Sequence, residues 1–236
     1  MKDYRGTHSN NFKQTRGKQY LLNPAIYRHL PVKEAAKLLE LGCGDGFYST
    51  ISIEKGYAYT GIDIAPEMIE KAKSLHPQGT FHVGSALSAS NVVREKYDAI
   101  ILSMLFPEFD SIDQIYKTLQ ECHKLLNDNG LLLIGVAHPC FDKYMTSYLF
   151  NEKNVETDFE GYFESSTKFI IRHNEGLIFE DHHWTLADYI NSLSKTGFAL
   201  TKIDECKPTK QALEVDSYYE KRLKHPTYLL LCAKRV

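Results

Sequence analysis

The sequence predicts an α/β fold in which a mainly parallel sheet is covered by helices. Short apolar runs alternate with segments whose apolar residues recur at helical spacing. The run Tyr97–Ser103 is nearly continuous, which is typical of a strand buried on both faces. A glycine-rich turn, residues 42–46, joins the first run to the first helical segment. The 236 residues can bury a substantial core as one large domain or two small ones.

Strands and helices alternate over the first part of the chain, and turn-forming residues mark their ends. Gly56 ends the first helix. Pro66 opens the second, because the N–H that proline lacks is not needed in a first helical turn. The predicted strands are residues 36–41, 58–64, 80–83 and 97–103, and the predicted helices are residues 47–55 and 67–75.

A third helix and a fifth strand continue this pattern. The helix is predicted at about residues 112–126, because Ile115, Leu119 and Cys122 lie on one apolar stripe. The segment 127–130 ends it, and we expect Gly130 to take the left-handed conformation of a C-terminal cap. The fifth strand is predicted at residues 131–137.

The alternation stops after the fifth strand. Residues 138–184 contain no strand–helix unit, but residues 168–172 and 177–180 indicate a β-hairpin. A helix capped by Thr185 and ended by Gly197 follows, and strands at 198–203 and 227–233 complete the sheet. We therefore predict one domain over residues 1–236, with an arm or helix at 1–30 and an insertion at 138–184 that is long enough to be functional.

Composition and charge argue against several classes of protein. The formal net charge is −2, whereas binding to nucleic acid or to an anionic membrane needs a basic face. The five cysteines are scattered and form no C-x-x-C pair, so neither a disulfide framework nor a structural zinc site is expected. No metal is predicted, and a reducing cytoplasm is the simplest location. No apolar run reaches the roughly 18 residues of a membrane span.

The turn after the first strand carries the strongest chemical signal. It reads Glu40-Leu41-Gly42-Cys43-Gly44-Asp45-Gly46, and its glycines allow a ligand to approach backbone N–H groups at a helix N-terminus. Asp63 ends the second strand, which neighbours the first in a doubly wound sheet. Its carboxylate is placed to accept hydrogen bonds from both hydroxyls of a ribose. Together these features predict a nucleoside site.

The glycine spacing indicates which nucleoside is bound. A dinucleotide site needs G-x-G-x-x-G, but the sequence reads G-x-G-x-G, with Glu40 two residues before the first glycine. A carboxylate at that place can face the ammonium group of an amino-acid moiety, which a pyrophosphate ligand does not have. The predicted ligand is S-adenosylmethionine (SAM) rather than NAD.

These residues resemble the motifs of class I SAM-dependent methyltransferases of the small-molecule type. Residues 38–46 are similar to the first motif of the family, 61–69 to its second and 83–86 to its third, although Ser85 stands where the family often has Asp. The resemblance implies a Rossmann-like, doubly wound, seven-stranded sheet with an antiparallel last strand. It also implies SAM as cofactor and S-adenosylhomocysteine as product. The cofactor contacts it implies are Tyr20, Glu40, Gly42, Cys43, Gly44, Asp63, Ile64, Met68, Ser85, Ala86, Ser103 and Met104.

The residues after the fourth strand bear on the methyl acceptor. Family members that methylate amide or adenine nitrogens usually carry Asn/Asp-Pro-Pro-aromatic here, but this sequence has Ser103-Met104-Leu105-Phe106. This leaves the small-molecule group, in which Leu105 and Phe106 would line the acceptor pocket, with ordinary core packing as the alternative. Trp184 stands where a similar subgroup often has Arg, and therefore predicts contact with a less acidic or more aromatic substrate.

The resemblance also gives roles to two segments. Residues 1–30 would fold over the cofactor, with Tyr20 near its methionine end, and residues 138–184 would form a lid over the substrate. Methyl transfer mainly needs alignment, and a general base is required only when the acceptor must lose a proton. His138 and His183 should lie at the carboxyl edge of the sheet and are the predicted catalytic residues. His182 ranks below them, because strand alternation should turn one of the two neighbours away.

Three functions remain compatible with the sequence. The first is a small-molecule O- or N-methyltransferase that acts as a monomer or a homodimer. The second is an RNA methyltransferase for tRNA or rRNA, which would use the basic N-terminal arm together with Lys221, Arg222 and Lys224. The third is a non-catalytic SAM-binding protein. Binding of SAM, binding of RNA and methyl transfer to small molecules distinguish the three.

Overall fold

Two sheets organise the part of the chain that the structure describes. The computed structural model describes residues 17–141, 155–157, 161–172, 178–215 and 218–236. The strands within these residues are β1 (Ala36–Leu41), β2 (Tyr57–Asp63), β3 (Thr80–Val83), β4 (Tyr97–Ser103), β5 (Leu126–Ala137), β6 (Val155–Thr157), β7 (Lys168–Arg172), β8 (Ile178–His182), β9 (Phe198–Glu205) and β10 (Tyr228–Arg235). The main sheet has seven strands in the order β3-β2-β1-β4-β5-β10-β9, and β6-β7-β8 form a separate sheet.

Strand directions in the main sheet confirm the predicted fold class. β1 to β5 pair in parallel, whereas β10 pairs antiparallel with both β5 and β9. The last strand is therefore the antiparallel one, as the resemblance implies. Because the parallel strands end at the same edge, the loops that follow β1, β2, β4 and β5 meet there.

Helices connect and cover the strands. They are α1 (Asn23–His29), which continues a π-helical turn at Lys18–Leu22, and α2 (Tyr48–Glu54), α3 (Pro66–Leu75), α4 (Ile112–Leu125), α5 (Leu186–Lys195), α6 (Lys210–Val215) and α7 (Tyr218–Arg222). Thr185 caps α5 by accepting a hydrogen bond from the Asp188 N–H, and Gly197 follows that helix at φ 81°, as predicted. No helix among the described residues is long and apolar enough to cross a membrane.

Each face of the main sheet has its own core, because alternate side chains of a strand point to opposite faces. On β4, Ile100 and Leu102 pack in the cluster that contains residues of α4 and α5. Ala99 and Ile101 pack in the cluster that contains residues of α1, α2 and α3. Burial on both faces explains why β4 is apolar at nearly every position.

The end of α4 differs from the prediction. The helix ends at Leu125, strand pairing begins at Leu126, and Asn129 rather than Gly130 has the left-handed conformation, with φ 58°. Asparagine tolerates this conformation better than most residues with a side chain. Gly130 is needed for a different reason, since a Cβ there would lie 2.8 Å from the carbonyl oxygen of Asn127.

The segment 138–184 contains the predicted hairpin and one strand that was not predicted. β7 and β8 pair antiparallel as expected, and β6 adds a third strand beside β7. The turn at 173–177 lies outside the described residues, as do residues 142–154 and 158–160. The Ser166 hydroxyl donates to the carbonyl of Asp110 at 2.6 Å, which joins this segment to the loop before α4.

Helices α6 and α7 were not predicted from the sequence. Both are short and lie between β9 and β10, at the end of β10 that pairs with Ala137. In α7, Tyr219 is fully buried and meets the ring of Tyr20 edge-on, with 5.5 Å between centroids. The C-terminal helices thus pack against the segment that precedes α1. The predicted N-terminal arm lies outside the described residues up to residue 16.

Candidate active site

The glycine-rich turn after β1 is held against the end of β2. Gly42, Gly44 and Gly46 have φ of 75°, 53° and 78°, a region that residues with a Cβ rarely adopt. The N–H groups of Gly42 and Cys43 both donate to the carbonyl of Ile62, at 2.8 and 3.1 Å. The turn is therefore a fixed, compact loop whose backbone lies at the carboxyl edge of the sheet.

Asp63 lies beside this loop, as the order of the strands predicts. One carboxylate oxygen accepts from the Gly44 N–H at 2.8 Å, and the other accepts from the Ala65 N–H at 2.9 Å. A carboxylate has about four lone-pair positions, so each oxygen can accept a further hydrogen bond. The chemistry of this group suits two neighbouring hydroxyls. The side chain of Ile64, the residue after Asp63, is half-buried.

Glu40 is a buried acid at the end of β1. Its side chain is 2% exposed and accepts a hydrogen bond from the hydroxyl of Tyr59. The pKa of Glu40 is raised to about 8, mainly by burial; Tyr59 and Lys18 lower it, and the charges of Asp63 and Asp45 add to the increase. A cation placed beside Glu40 would stabilise its carboxylate. The site therefore fits a ligand that carries an ammonium group.

Two apolar side chains cover the glycines. A Cβ on Gly42 would lie 3.0 Å from Cδ1 of Leu105, and a Cβ on Gly44 would lie 3.4 Å from Cε of Met68. The structure thus brings Met68 and Leu105 to the same loop, although they are far apart in the sequence. Met104, which precedes Leu105, has φ 59° and donates its N–H to the carbonyl of Gly135 at 2.8 Å. Left-handed backbone at a residue with a long side chain is typical of functional sites.

The third motif lies on the other side of Asp63. The Gly84 N–H donates to the carbonyl of Asp63 at 2.8 Å, which places Ser85 and Ala86 near the second-strand acid. The Ser85 hydroxyl accepts from the Leu87 N–H at 3.2 Å and caps a short 3₁₀ helix, Ala86–Asn91. In this arrangement the hydroxyl of Ser85 supports the turn.

A series of buried hydrogen bonds links α1, α2 and β4, and the sequence did not predict it. Tyr48 of α2 donates its hydroxyl to Oδ1 of Asn23 and lies 3.1 Å from the hydroxyl of Ser103 at the end of β4. Asn23 is 1% exposed, and burial raises the pKa of Tyr48 well above its usual range. This series fixes α1 against the strand end that carries Ser103. A polar residue at the start of a helix, such as Asn23, is too common to reveal such a contact.

Phe106 and Trp184 are brought together inside the core. Phe106 is 1% exposed and stacks on Tyr189 with 6.1 Å between ring centroids. Trp184 is 3% exposed and donates its indole N–H to the carbonyl of Phe106 at 3.2 Å. Leu105 is half-buried. Of the two interpretations of Phe106 in the sequence, its burial favours core packing, and the acceptor contacts of all three residues stay predictions.

His138 is buried and uses both ring nitrogens. Its Nδ1 accepts from the Cys140 N–H at 3.2 Å, so this nitrogen carries the lone pair. Its Nε2 therefore carries the proton and donates to Oε1 of Glu205, also at 3.2 Å. Burial lowers the pKa of His138, which favours the neutral ring. This geometry suits His138 better to a structural contact than to removing a proton.

His183 is also buried and carries its proton on the same ring nitrogen as His138, Nε2. Its Nε2 lies 2.8 Å from the carbonyl oxygen of Tyr162, and because a carbonyl only accepts, Nε2 must carry a proton. In the neutral ring the lone pair is then on Nδ1. The catalytic roles of both histidines stay predictions.

The two histidines share a small cavity. His138, His182 and His183 line a space of about 20 Å³ together with Trp184 and Tyr189. The cavity therefore lies where β5 and β8 end. Among the described residues, no group of His, Cys, Asp and Glu has an arrangement that would hold a metal ion.

Comparison with known proteins gives a family and several relatives. Residues 39–134 match the family model described as a methyltransferase domain. An uncharacterized protein of Haemophilus influenzae is 26% identical over 193 residues, which cover 77% of this chain and 74% of that protein. The ubiquinone biosynthesis O-methyltransferase of Haemophilus ducreyi is 26% identical over 138 residues, 53% of this chain and 57% of that enzyme. The N-demethylindolmycin N-methyltransferase of Streptomyces griseus is 24% identical over 195 residues, 78% of this chain and 81% of that enzyme.

A solved structure has the same fold. The SAM-dependent methyltransferase of Mesorhizobium loti superposes with a TM-score of 0.67 at 19% identity and covers 90% of this chain and 96% of that one. The shared fold includes the sheet whose carboxyl edge carries Glu40, Gly44 and Asp63.

Proposed function

Residues 39–134 are a class I SAM-dependent methyltransferase domain, and on that premise we propose that the protein methylates a small-molecule acceptor at oxygen or nitrogen. The product of the cofactor is S-adenosylhomocysteine. The observation that carries the proposal is the meeting of Glu40, Gly44 and Asp63 at the adjoining ends of β1 and β2. A glycine-rich loop, the carboxylate of Asp63 and the buried carboxylate of Glu40 together fit an adenosyl amino acid.

The cofactor supplies an electrophilic methyl group on a positively charged sulfur, and the protein's residues hold and align it. We assign Asp63 to the ribose hydroxyls and Glu40 to the ammonium group. Ser85 and Ala86 are assigned to the adenine side, and Ser103, Met104 and Tyr20 to the methionine end. The remaining contacts are assigned to the loop and its neighbours Gly42, Cys43, Gly44, Ile64 and Met68.

Two further segments have proposed roles in the reaction. The segment before and including α1 covers the cofactor, and the hydrogen bonds that link Asn23, Tyr48 and Ser103 support this. Residues 138–184 cover the acceptor, supported by the bond from Trp184 to Phe106. Excluding water over both sites would keep the reacting atoms aligned. The five cysteines are free thiols, from which we infer a cytoplasmic location.

A small acceptor fits the charges better than RNA does. The formal net charge is −2, and Arg222, one of the residues that could form a basic patch, is only 3% exposed. An RNA-binding surface needs exposed cations that neutralise phosphates. Relatives named as an O-methyltransferase and an N-methyltransferase support either kind of nucleophile.

Binding and transfer experiments on the full chain test this proposal. Titration calorimetry with SAM and with S-adenosylhomocysteine should show one site for each. Transfer of a labelled methyl group should then be followed to phenols, catechols, amines, carboxylic acids and tRNA or rRNA fragments. Label in a small molecule supports the proposal, and label in RNA alone supports the second candidate. Absence of cofactor binding contradicts the proposal, and binding without transfer to any acceptor identifies a SAM-binding protein.

The raised pKa of Glu40 predicts that cofactor binding releases a proton. In the free protein Glu40 titrates at about 8, so most of it is protonated at neutral pH. An ammonium group bound beside it stabilises the carboxylate and lowers its pKa. Affinity for S-adenosylhomocysteine should therefore rise with pH up to about 8, by at most about tenfold per unit. Titration calorimetry in buffers of different ionisation enthalpy measures the number of protons released on binding.

Stability of the cofactor-free protein should change in the opposite direction. A raised acid pKa means that the neutral form is the stable one in the fold, so its contribution is complete below about 4.5 and is lost as pH rises through about 8. Glu40→Gln should remove this dependence from both binding and unfolding. Any pH dependence that survives in Glu40→Gln would belong to another group, and an unchanged profile would contradict the assignment.

A further inference from the structure

The three-histidine cavity lies at the carboxyl edge of the main sheet, beside the ends of β4 and β5. It is formed by the chain just after β5, by the end of β8 and by Pro107 in the loop after β4. β4 also carries Ser103, which is assigned to the methionine end of the cofactor. A volume of about 20 Å³ holds roughly one water molecule, or one hydroxyl or amino group of a larger ligand.

Protein partners already occupy defined nitrogens of two of the three histidines. His138 accepts from the Cys140 N–H and donates to Glu205. His183 donates to the Tyr162 carbonyl. These bonds fix both rings and make His138 a neutral donor. None of the three partner residues, Cys140, Glu205 and Tyr162, lines the cavity.

His182 differs from its two neighbours. Its Nδ1 is buried and has no hydrogen-bond partner among the described residues. The sequence ranks His182 low because neighbours in a strand point to opposite faces, but β8 ends at His182 and His183 lies beyond the strand. Both residues nevertheless line the cavity. A buried polar atom without a partner is unfavourable, and a ligand group bonded to Nδ1 would remove that cost.

The rest of the cavity wall indicates the kind of ligand. Pro107, Trp184 and Tyr189 supply apolar and aromatic surface. None of the described side chains that line the cavity carries a permanent charge. This lining favours a neutral aromatic group over a carboxylate or phosphate, since a buried charge needs a partner.

We propose that His182 is a catalytic residue whose Nδ1 accepts the proton of a neutral aromatic hydroxyl bound in this cavity. The inference rests on the proposed function. The acceptor oxygen forms a bond to the methyl carbon while the carbon–sulfur bond breaks, and the electron pair of that bond stays on sulfur as a neutral thioether. The hydroxyl proton moves to Nδ1, and the resulting imidazolium returns it to water.

Phenol is a direct probe of this site. Protein with ¹³C,¹⁵N-labelled histidine is saturated with S-adenosylhomocysteine and titrated with phenol while ring signals are followed by NMR. The His182→Asn spectrum assigns the His182 signals. We expect phenol to shift the Nδ1 signal of His182 in a saturable manner. Absence of a shift at His182, in protein that binds S-adenosylhomocysteine, overturns the inference and leaves the proposed function standing.

Two variants separate hydrogen bonding from filling of space. The amide of His182→Asn lies near the position of Nδ1, so phenol affinity should stay within about threefold, whereas His182→Phe should lose about tenfold. His76→Asn, at the end of α3, is the matched control and should change nothing. Equal phenol affinity in His182→Phe and the parent overturns the inference. Loss of S-adenosylhomocysteine binding in the parent protein would instead contradict the proposed function.

Discussion

Replacing Asp63 by alanine is expected to weaken binding of S-adenosylhomocysteine by about a hundredfold. The variant loses the acceptor assigned to two ribose hydroxyls and the bond that holds the Gly44 N–H. Hydrogen bonds to a charged group contribute about 1.5–3 kcal/mol each, and about 3 kcal/mol corresponds to a hundredfold change in Kd. Titration calorimetry on the purified full chain measures the effect.

Asp63→Asn is the matched control for this prediction. The amide keeps one oxygen as an acceptor and nearly the same shape, so an intermediate loss of about tenfold is expected. Thermal unfolding without ligand shows whether each variant is folded. If both folded variants bind S-adenosylhomocysteine as tightly as the parent, the second-strand acid does not bind the ribose.

Phe106→Ala is expected to lower the free energy of unfolding by about 3–5 kcal/mol. The ring is 1% exposed and packs against Phe109 and Tyr189, so its removal leaves a cavity in the core. A loss of this size is a large share of the 5–15 kcal/mol that is typical of a domain. Urea unfolding of the cofactor-free protein measures it.

Leu105→Ala serves as the comparison, because Leu105 is only half-buried and should lose less stability. The pair also separates the two interpretations of this segment. A residue that lines the acceptor pocket would, when shortened, change acceptor binding more than unfolding. Unchanged stability in Phe106→Ala would therefore contradict the core position and return Phe106 to the pocket wall.

Local patterns were sufficient to place most strands. β1, β3 and β4 have the predicted ends, because glycine, proline and a change of periodicity mark them within a few residues. The predicted cap of α4 was wrong, because Asn129 and Gly130 can both take a turn conformation. Only the close approach of the Asn127 carbonyl to Gly130 distinguishes the two positions. α6 and α7 were missed because helices this short depend on packing rather than on their own sequence.

The candidate site likewise contains features that the sequence could predict and features that depend on distant residues. The contact of Asp63 with Gly44 follows from strand order, so sequence reasoning could place it. The tautomers of His138 and His183 depend on Glu205 and Tyr162, which are distant in the chain. Nothing local to a histidine reveals such partners, and His182 was ranked low because strand alternation was expected to turn one of the two neighbouring histidines away.

The bond between Asp63 and the Gly44 N–H has a consequence for the entropy of binding. Ordering the backbone of a residue costs about 1–2 kcal/mol, and glycine loses more backbone freedom than other residues do. Here the turn is already ordered in the cofactor-free protein by Asp63 and by the Ile62 carbonyl. The entropic cost of shaping the subsite thus falls on folding, and the cofactor meets a preorganised loop. Loosening that loop should therefore appear in the entropy of cofactor binding even where no contact to the cofactor is lost.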